Sequence, residues 1–571
     1  MGVRMAPIDM RKIVFAALLV GTAWPLFADI AADCKAAAAK KRDVMFYETG
    51  IEVCFWPKST PYSPAAFANL RLGPLAKAPA NIDTVVYAPL GGFAYLTAKI
   101  PSADVPQVQP VGSTWMKNQV NRMPEFIKAG TDPLKEACKW ARTAKKEFFV
   151  ALPVNSVDNA AGYNPEKPPP PFLHDNYLYA PWKQKHAAML MGGKGAKLPG
   201  DVKGTNPPHS HWSAVDYGEA EVRAKYSAVC REIADGYDID GILVDFMKNP
   251  WIFKSVAWGG NANAKELQQL TEMMTGIKSA VRAAAQKKNH PILLVVRVPD
   301  SLQYCKAIGI DLQTWIDQKL PDLVVFGGGF RLSPVSASGA LMAKSGIPFY
   351  MSLGSSGIYV GNDSGFANDD EVIPRHSREC FRAQVMEAAK GGAAGVLYEE
   401  PPHWIRFSVN AIAGSAEAER LENKRYFATY KFGGGANSAL KDGAKLRTLP
   451  YLVSSSPIEL KKGSAKIDVD VWDDFAALKK SGVEPKATLT TEAVIPSGMD
   501  IEVTINGRKT TLIRKKAGHQ IYAVAPGSLK TGRNEVAVKQ TGRNKRGLTA
   551  KLGNVCVDVI FKEPPPKKEV E

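Results

Sequence analysis

The sequence predicts an α/β chain, a (β/α)8 TIM barrel followed by a C-terminal antiparallel β-sandwich. Three observations predict it. Across residues 40–447, eight short, wholly apolar strand-like runs alternate with amphipathic helical runs. That alternation builds a parallel sheet, and eight units close it into a barrel. Near residue 448 the pattern changes to short alternating segments, punctuated by turns such as Asn506-Gly507 and Thr531-Gly532. This marks a sandwich over residues 448–562. The chain, at 571 residues, also exceeds one ordinary core, so two domains or more are expected. A doubly wound open sheet is the alternative to the closed barrel.

Residues 1–28 read as an export signal. Arg11 and Lys12 precede an apolar run at 13–27, and Ala28 is a small residue suited to cleavage. The run is short for a membrane span, and Pro25 argues against a spanning helix. Met5 or Met10 would serve equally well as the start, and a retained anchor is the alternative. No later segment is apolar enough to cross a bilayer. The expectation is therefore a secreted or periplasmic protein, cell-surface associated in one variant, with no integral span once the signal is removed.

The eight barrel strands are expected at 44–48, 84–89, 147–155, 239–245, 292–298, 323–326, 347–353 and 394–399. Helical periodicity lies between most of them, at 133–146, 222–234, 264–286, 312–318 and 378–390. The first strand and the stretch 57–81 carry the weakest signals. The loop 156–220 is too long for a connector. It holds a proline-rich stretch, then His174, Tyr177, Tyr179, Trp182, His186, His209, His211 and Trp212. Those aromatic rings would either stack on sugars or pack the loop against itself, and for any single ring packing is the commoner fate. The sandwich strands are expected at 467–471, 487–490, 500–505, 510–513, 520–524, 534–540 and 555–561. The Pro- and Lys-rich tail at 563–571 reads as disordered.

Seven cysteines are scattered without a CxxC pair, so a structural zinc site is not expected. Export permits disulfides, and Cys34 with Cys54 is the pair that suggests itself. The formal charge is +17. Such charge attracts polyanions, which for an exported protein means an acidic or sulfated glycan or an anionic surface. A solvated basic face explains the charge equally simply. No nucleic-acid-reading motif is present, and nucleic acid is not an expected partner.

Polar groups collect where the strands end, and in a barrel those ends converge on one face. The segment YDIDGILVDFMKNP (237–250) places an apolar strand directly before Asp245. The eighth strand ends on Glu399-Glu400, followed by His403 and Trp404. Two carboxylates facing each other across a pocket are what glycoside hydrolysis requires. Asp245 is the expected nucleophile or base, and Glu399 or Glu400 the expected acid. Neighbouring strand residues face opposite ways, so only one of the two glutamates enters the pocket. Glu48, Asn155, Arg297 and Asp300 are expected to bind substrate, Arg297 either by gripping an acidic sugar or through an internal ion pair with Asp245 or Glu48. Trp251 and Trp404 are candidate stacking platforms. Gly327 to Gly329 lack the Lys-Ser or Lys-Thr of a phosphate cradle and read as a close backbone approach beneath the substrate. His209-x-His211 has no third ligand at a telling spacing, so neither a metal nor a cofactor is expected. A GxSxG elbow between a strand and a helix is lacking, which disfavours an esterase of that kind.

The chain resembles the glycosyl-hydrolase-like barrels of bacterial exported proteins, of the glycosyl hydrolase-like 10 kind, over roughly residues 42–430. The resemblance rests on VDYGEAEVRAKYSAVCREIADGYDIDGILVDFMKNP (215–250), GTDPLKEACKWARTAKKEFFVALPVNSVD (130–158) and LLVVRVPDSLQYCKAIGIDLQTWI (293–316). It implies a barrel of carbohydrate-active ancestry with its strand-four acid at Asp245. The positions before that acid are Leu243 and Val244, so a second acid on this strand is missing. The expected function is hydrolysis of an extracellular polysaccharide, neutral or anionic, by two carboxylates. The alternative is a glycan-binding or cell-surface protein that kept the barrel and lost its acid pair.

Overall fold

A computed structural model describes residues 29–50, 53, 56–78, 81–89, 118–155, 181–192, 213–354, 377–399, 412–428, 434–449, 452, 457–460, 463–516, 518–542 and 548–562. The expected signal, the tail, Cys54, Glu400, Trp404 and most of the loop 156–220 lie outside these residues.

Eight parallel strands close into a barrel: β1 (Val44–Glu48), β2 (Thr84–Tyr87), β3 (Glu147–Pro153), β4 (Gly241–Asp245), β5 (Leu293–Val298), β6 (Leu323–Phe326), β7 (Phe349–Gly354) and β8 (Gly395–Glu399). Each pairs with its neighbours in sequence, and β8 closes on β1 with Val44 opposite Val396. Side chains alternate across each strand. Met45, Val86, Phe149, Ala151, Leu243, Val295, Val325, Tyr350 and Leu397 fill the barrel interior. Phe46, Val85, Val150, Val244, Val296, Val324 and Val396 face the surrounding helices. Residues buried on both faces explain why the strands read as unbroken apolar runs.

Helix α1 (Ile30–Ala38) lies under the barrel, and its Cys34 and Ala38 join the interior cluster. Its cap is Asp29, whose side chain accepts from the Ala31 amide at 3.1 Å. Beneath the strands, the buried Arg42 donates to the Ala37 carbonyl at 2.7 Å and pairs with Glu147 at 2.6 Å. Cys34 is a free buried thiol with its Sγ toward the Ile292 carbonyl, so the suggested pairing with Cys54 is not formed.

The outer helices include α2 (Pro64–Leu72), α3 (Pro133–Thr143), α4 (Ala220–Gly236), α5 (Ala264–Lys288), α6 (Leu302–Ile308), α7 (Leu312–Asp317), α8 (Val335–Met342) and α9 (Arg378–Lys390). Their starts follow capping chemistry. Asn263 and Glu266 form a capping box on α5, and Ser377 caps α9. No helical period marks α8 in the sequence, and its VSASGALM holds Val, Gly and two Ser, weaker helix formers than Ala. Packing fixes it instead: a Cβ at Gly339 would lie 2.1 Å from the Gly391 carbonyl oxygen.

The C-terminal strands are β9 (Lys424–Phe427), β10 (Ser464–Val471), β11 (Lys486–Val494), β12 (Met499–Ile505), β13 (Thr511–Lys516), β14 (His519–Val524), β15 (Gly532–Gly542) and β16 (Lys551–Ile560). They form antiparallel sheets ordered β9-β16-β11-β14-β13 and β10-β15-β12. Val469, Val503, Val536 and Val538 of one sheet meet Tyr426, Leu489, Tyr522, Val557 and Val559 of the other in a second core. Strand β9 precedes residue 448, where the sequence placed the start of this unit. After β9 the chain returns to the barrel, where the Tyr304 hydroxyl donates to the Ala436 carbonyl and the Thr448 amide to that of Leu332. No helix among the described residues is long and apolar enough to cross a membrane.

Candidate functional site

Arg297 stands at the C-terminal end of β5, opposite Asp245 in the register. It faces the barrel interior and is fully buried. Its Nε donates to the Gly327 carbonyl at 3.1 Å, and Nη1 reaches Asp245 Oδ2 at 3.3 Å. Nη2 donates to Ser352 Oγ at 3.0 Å and to Glu399 Oε2 at 2.6 Å. The Tyr47 ring lies against the guanidinium, 5.4 Å from its carbon to the ring centroid. Burial alone would lower the proton affinity of Arg297, but the charges of Glu399 and Asp245 outweigh it and push it above its ordinary value.

The glycines after β6 make room for this arrangement. Gly327 adopts φ +83°, which suits a residue without a Cβ. At Gly328 a Cβ would come within 2.7 Å of both Arg297 Nη2 and Met247 Cβ. Of the close backbone approach expected at Gly327 to Gly329, only Gly328 shows one, and it shelters the arginine; a Cβ at Gly329 would meet nothing within 4 Å.

The two acids expected to carry chemistry are brought together by that one guanidinium. Asp245 is 0% exposed, and its Oδ1 accepts from the Met247 and Lys248 amides at 2.8 and 3.1 Å. Glu399 shares its register position with Tyr47 and has a side chain 18% exposed. The even spacing of Gly395, Leu397 and Glu399, with Leu397 in the interior cluster, turns Glu399 inward.

Four expected binding residues have other work. Glu48 has the opposite parity to Tyr47, faces α2, and pairs with Arg71 at 2.6 Å. Asn155 is buried, donates to the Val215 and Trp251 carbonyls at 3.0 and 2.6 Å, and accepts from the Val215 amide at 2.9 Å. Those bonds strap the long loop to the one after β4. Asp300 accepts from the Leu332 and Ser333 amides at 2.9 and 3.1 Å and faces Arg331. Trp251 is buried in the core between barrel and helices, where no sugar ring can stack on it. Arg297 itself has four of its five N–H groups occupied, so it cannot grip an acidic sugar in a bidentate manner. In the long loop, the His186 ring stacks on Trp182 at 4.1 Å and its Nε2 lies 2.9 Å from Glu221. That histidine serves loop packing. No cluster of three metal-ligating side chains occurs among the described residues.

Tyr47 and Ser352 were not singled out by the sequence. Strand parity narrows β1 to a choice between Tyr47 and Glu48, but a run buried on both faces does not say which of them points inward.

A cleft of about 430 Å³ opens at the opposite, N-terminal face of the barrel, lined by Asp43, Asp83, Arg378, Arg382, Glu419 and Glu422 among others. Its charged groups are paired, Arg382 with Glu419 at 2.6 Å and with Glu422 at 3.1 Å, and it is remote from Asp245 and Glu399.

No family model matches the chain, and no curated protein matches it. Among solved structures it is similar to the chitinase ChiA74 from Bacillus thuringiensis, at 9% identity and TM-score 0.33, covering 88% of this chain and 98% of that one. It is also similar to the PgaB (BpsB) glycoside hydrolase domain from Bordetella bronchiseptica, at 13% identity and TM-score 0.34, covering 66% of this chain and 97% of that one. A third is the spore cortex-lytic enzyme SleL from Bacillus megaterium QM B1551, at 10% identity and TM-score 0.32, covering 65% and 73%. Similarity at this level assigns no residue of the present chain a role.

Proposed function

We propose that the chain is an exported carbohydrate-active barrel that hydrolyses a glycosidic bond in an extracellular polysaccharide, with Glu399 as the carboxylate that meets the sugar. The observation that carries this reading is the placement of Glu399. It is inward-facing at the end of β8, partly open to solvent, and 2.6 Å from a buried guanidinium. An opposite charge so close favours the ionised carboxylate, which suits a nucleophile or base. The roles expected from sequence are therefore redistributed. Glu399 takes the ionised part, and Asp245 anchors Arg297 from below. The net charge of +17 favours an anionic polymer at long range. That attraction would come from the surface, since Arg297 is spent inside.

The second reading, a glycan-binding barrel without turnover, is favoured by one observation: both acids pair with the same arginine. The two readings separate in one experiment. Reducing-sugar release and binding are measured on neutral, acetamido and acidic oligosaccharides for the wild-type chain, Glu399→Gln and Asp245→Asn. A hydrolase loses about 10³-fold or more of its turnover in Glu399→Gln while keeping affinity. A wild-type chain that binds a sugar and releases none is a binding protein.

A further inference from the structure

One side of the sandwich carries a surface that the barrel mouth does not use. After β12 the chain turns at Asn506 and Gly507, both at positive φ, and Arg508–Lys509 pairs back on β12. One residue later it joins the other sheet as that sheet's outer strand, β13. Residues 508–516 therefore border both sheets on the same side. Every residue of β13 is exposed, so the strand covers no core of its own.

The charge there is one-sided. Residues 503–557 hold twelve Lys and Arg against a single acid, Glu535, so few carboxylates are at hand to neutralise them. Lys509 and Lys515 are answered by Glu502 and Asp500, at 2.9 and 2.8 Å. Arg508 reaches the Pro526 carbonyl at 3.5 Å. Arg508, Arg514 and Lys516 have no ion pair among the described residues. Among these cations stand two aliphatic side chains, Leu512 at 43% and Ile513 at 59% exposed. Guarding a sheet edge calls for charge and does not account for them. Apolar groups rimmed by charge mark a surface that meets something. A charged polysaccharide would satisfy the cations but gives an aliphatic side chain nothing apolar to enter. An anionic bilayer offers both, phosphates outside and acyl chains within.

We infer that residues 508–516 dock the chain on an anionic lipid surface. Arg508, Arg514 and Lys516 lie against headgroup phosphates, and Leu512 and Ile513 enter the boundary between headgroups and acyl chains. Such a contact is peripheral and needs no spanning helix. It stands independently of the glycan reading above, because it uses neither Glu399 nor Arg297.

The test is co-sedimentation of the full chain with vesicles of phosphatidylcholine alone, and with about one quarter phosphatidylglycerol. Two variants are compared with wild type, the double substitution Arg514→Glu with Lys516→Glu, and Ile513→Ser. All three positions are exposed, so the fold is kept. Wild type should bind the anionic vesicles at least about tenfold more tightly than the neutral ones. The double variant should lose that preference, and Ile513→Ser should weaken binding severalfold. Equal binding to both kinds of vesicle, or unchanged binding in the double variant, overturns the inference. So does unchanged binding in Ile513→Ser, since charge alone is then at work. Calorimetry with hexagalacturonic acid covers the other partner. A wild-type chain that takes this acid through Arg514 and Lys516 and ignores the vesicles has a site for an anionic polymer, and the lipid inference fails.

Discussion

Arg297 spends its guanidinium within the protein, and that decides what the residues around it can do. A single cation joins Asp245, Ser352, Glu399 and the Gly327 carbonyl. Lysine would restore the charge but not the planar fork that reaches them all. Arg297→Lys is therefore expected to lose sugar binding or turnover while the barrel still folds, as read by circular dichroism and activity together. Gly328 gives a sharper test, because it touches no ligand in this account. Gly328→Ala places a methyl group against Arg297 and Met247. It should cost about 1–3 kcal/mol and impair the site as severely as Arg297→Lys. If Gly328→Ala retains wild-type function, Arg297 does not organise the site. At this scale the sequence was partly legible. It marked Asp245, Arg297 and Glu399 as strand-end groups, and it marked Glu48, Asn155, Asp300 and Trp251 too, whose side chains are engaged within the fold. Polar residues near a strand end serve the substrate or the loops, and the type of residue does not reveal which.

Elements in this barrel are tied together by buried polar groups at both ends. Above the strands, Asn155 holds the backbone at Val215 and Trp251. Asn155→Ala leaves these groups buried and unmet, at a cost of about 3 kcal/mol. Faster proteolytic cutting near residues 213–217 would report the loosened loop. Below the strands, Asp240 joins the start of β4 to its neighbours. It accepts from the Phe148 amide at 2.7 Å and pairs with Arg142 at 2.8 Å and His290 at 2.9 Å. Burial would raise its pKa, but the hydrogen bonds from His290 and Arg142 outweigh burial and bring it below the ordinary carboxylate value. A depressed pKa in the folded state stabilises the protein above the unfolded value, near 4, and that contribution is lost as pH falls through the folded one. The Tm should therefore hold from pH 7 to about 5 and fall below about 4. Asp240→Asn should lose about 2 kcal/mol at pH 7 and show a flatter acid limb. An equally steep acid limb in the variant would assign the loss to other groups.

The whole molecule interleaves its two units along the chain. Strand β9 pairs with β16, with Phe427 opposite Cys556. One of its faces enters the sandwich core through Tyr426, and the other packs Phe427 against Cys380 of α9 and Cys556. Buried charges pin the same strand, since Lys424 lies 2.9 Å from Asp473 and the Tyr426 hydroxyl donates to Asp473 at 2.9 Å. A fragment ending at residue 447 keeps β9 but loses β16 and Asp473. It should aggregate or melt well below a fragment ending at residue 562, as read by size-exclusion chromatography and thermal unfolding. A soluble 447 fragment with an undiminished Tm would show that β9 does not depend on the sandwich. The outer strand β13 is exposed along its length, with Ile513 59% exposed at a bulge beside Arg514, Lys515 and Lys516. Lysines and a bulge are the usual guards against edge-to-edge pairing. They account for part of the basic character without any partner.

By itself, the sequence determined the eight barrel strands, the helices with strong caps and periods, and the alternation of the sandwich. Each of these is written in local patterns of burial and in residues that favour one backbone geometry. It also determined that acids and an arginine stand at strand ends. Tertiary structure alone decided which way each faces. Tyr47 rather than Glu48 looks inward, and Arg297 is consumed by Asp245 and Glu399. Only tertiary structure, too, could place β9 in the second sheet and fold α8 from a sequence with no helical period. The physical reason is the same in each case. A strand buried on both faces carries no polarity signal to fix its parity, and hydrogen bonds between residues far apart in the chain leave no mark in local sequence.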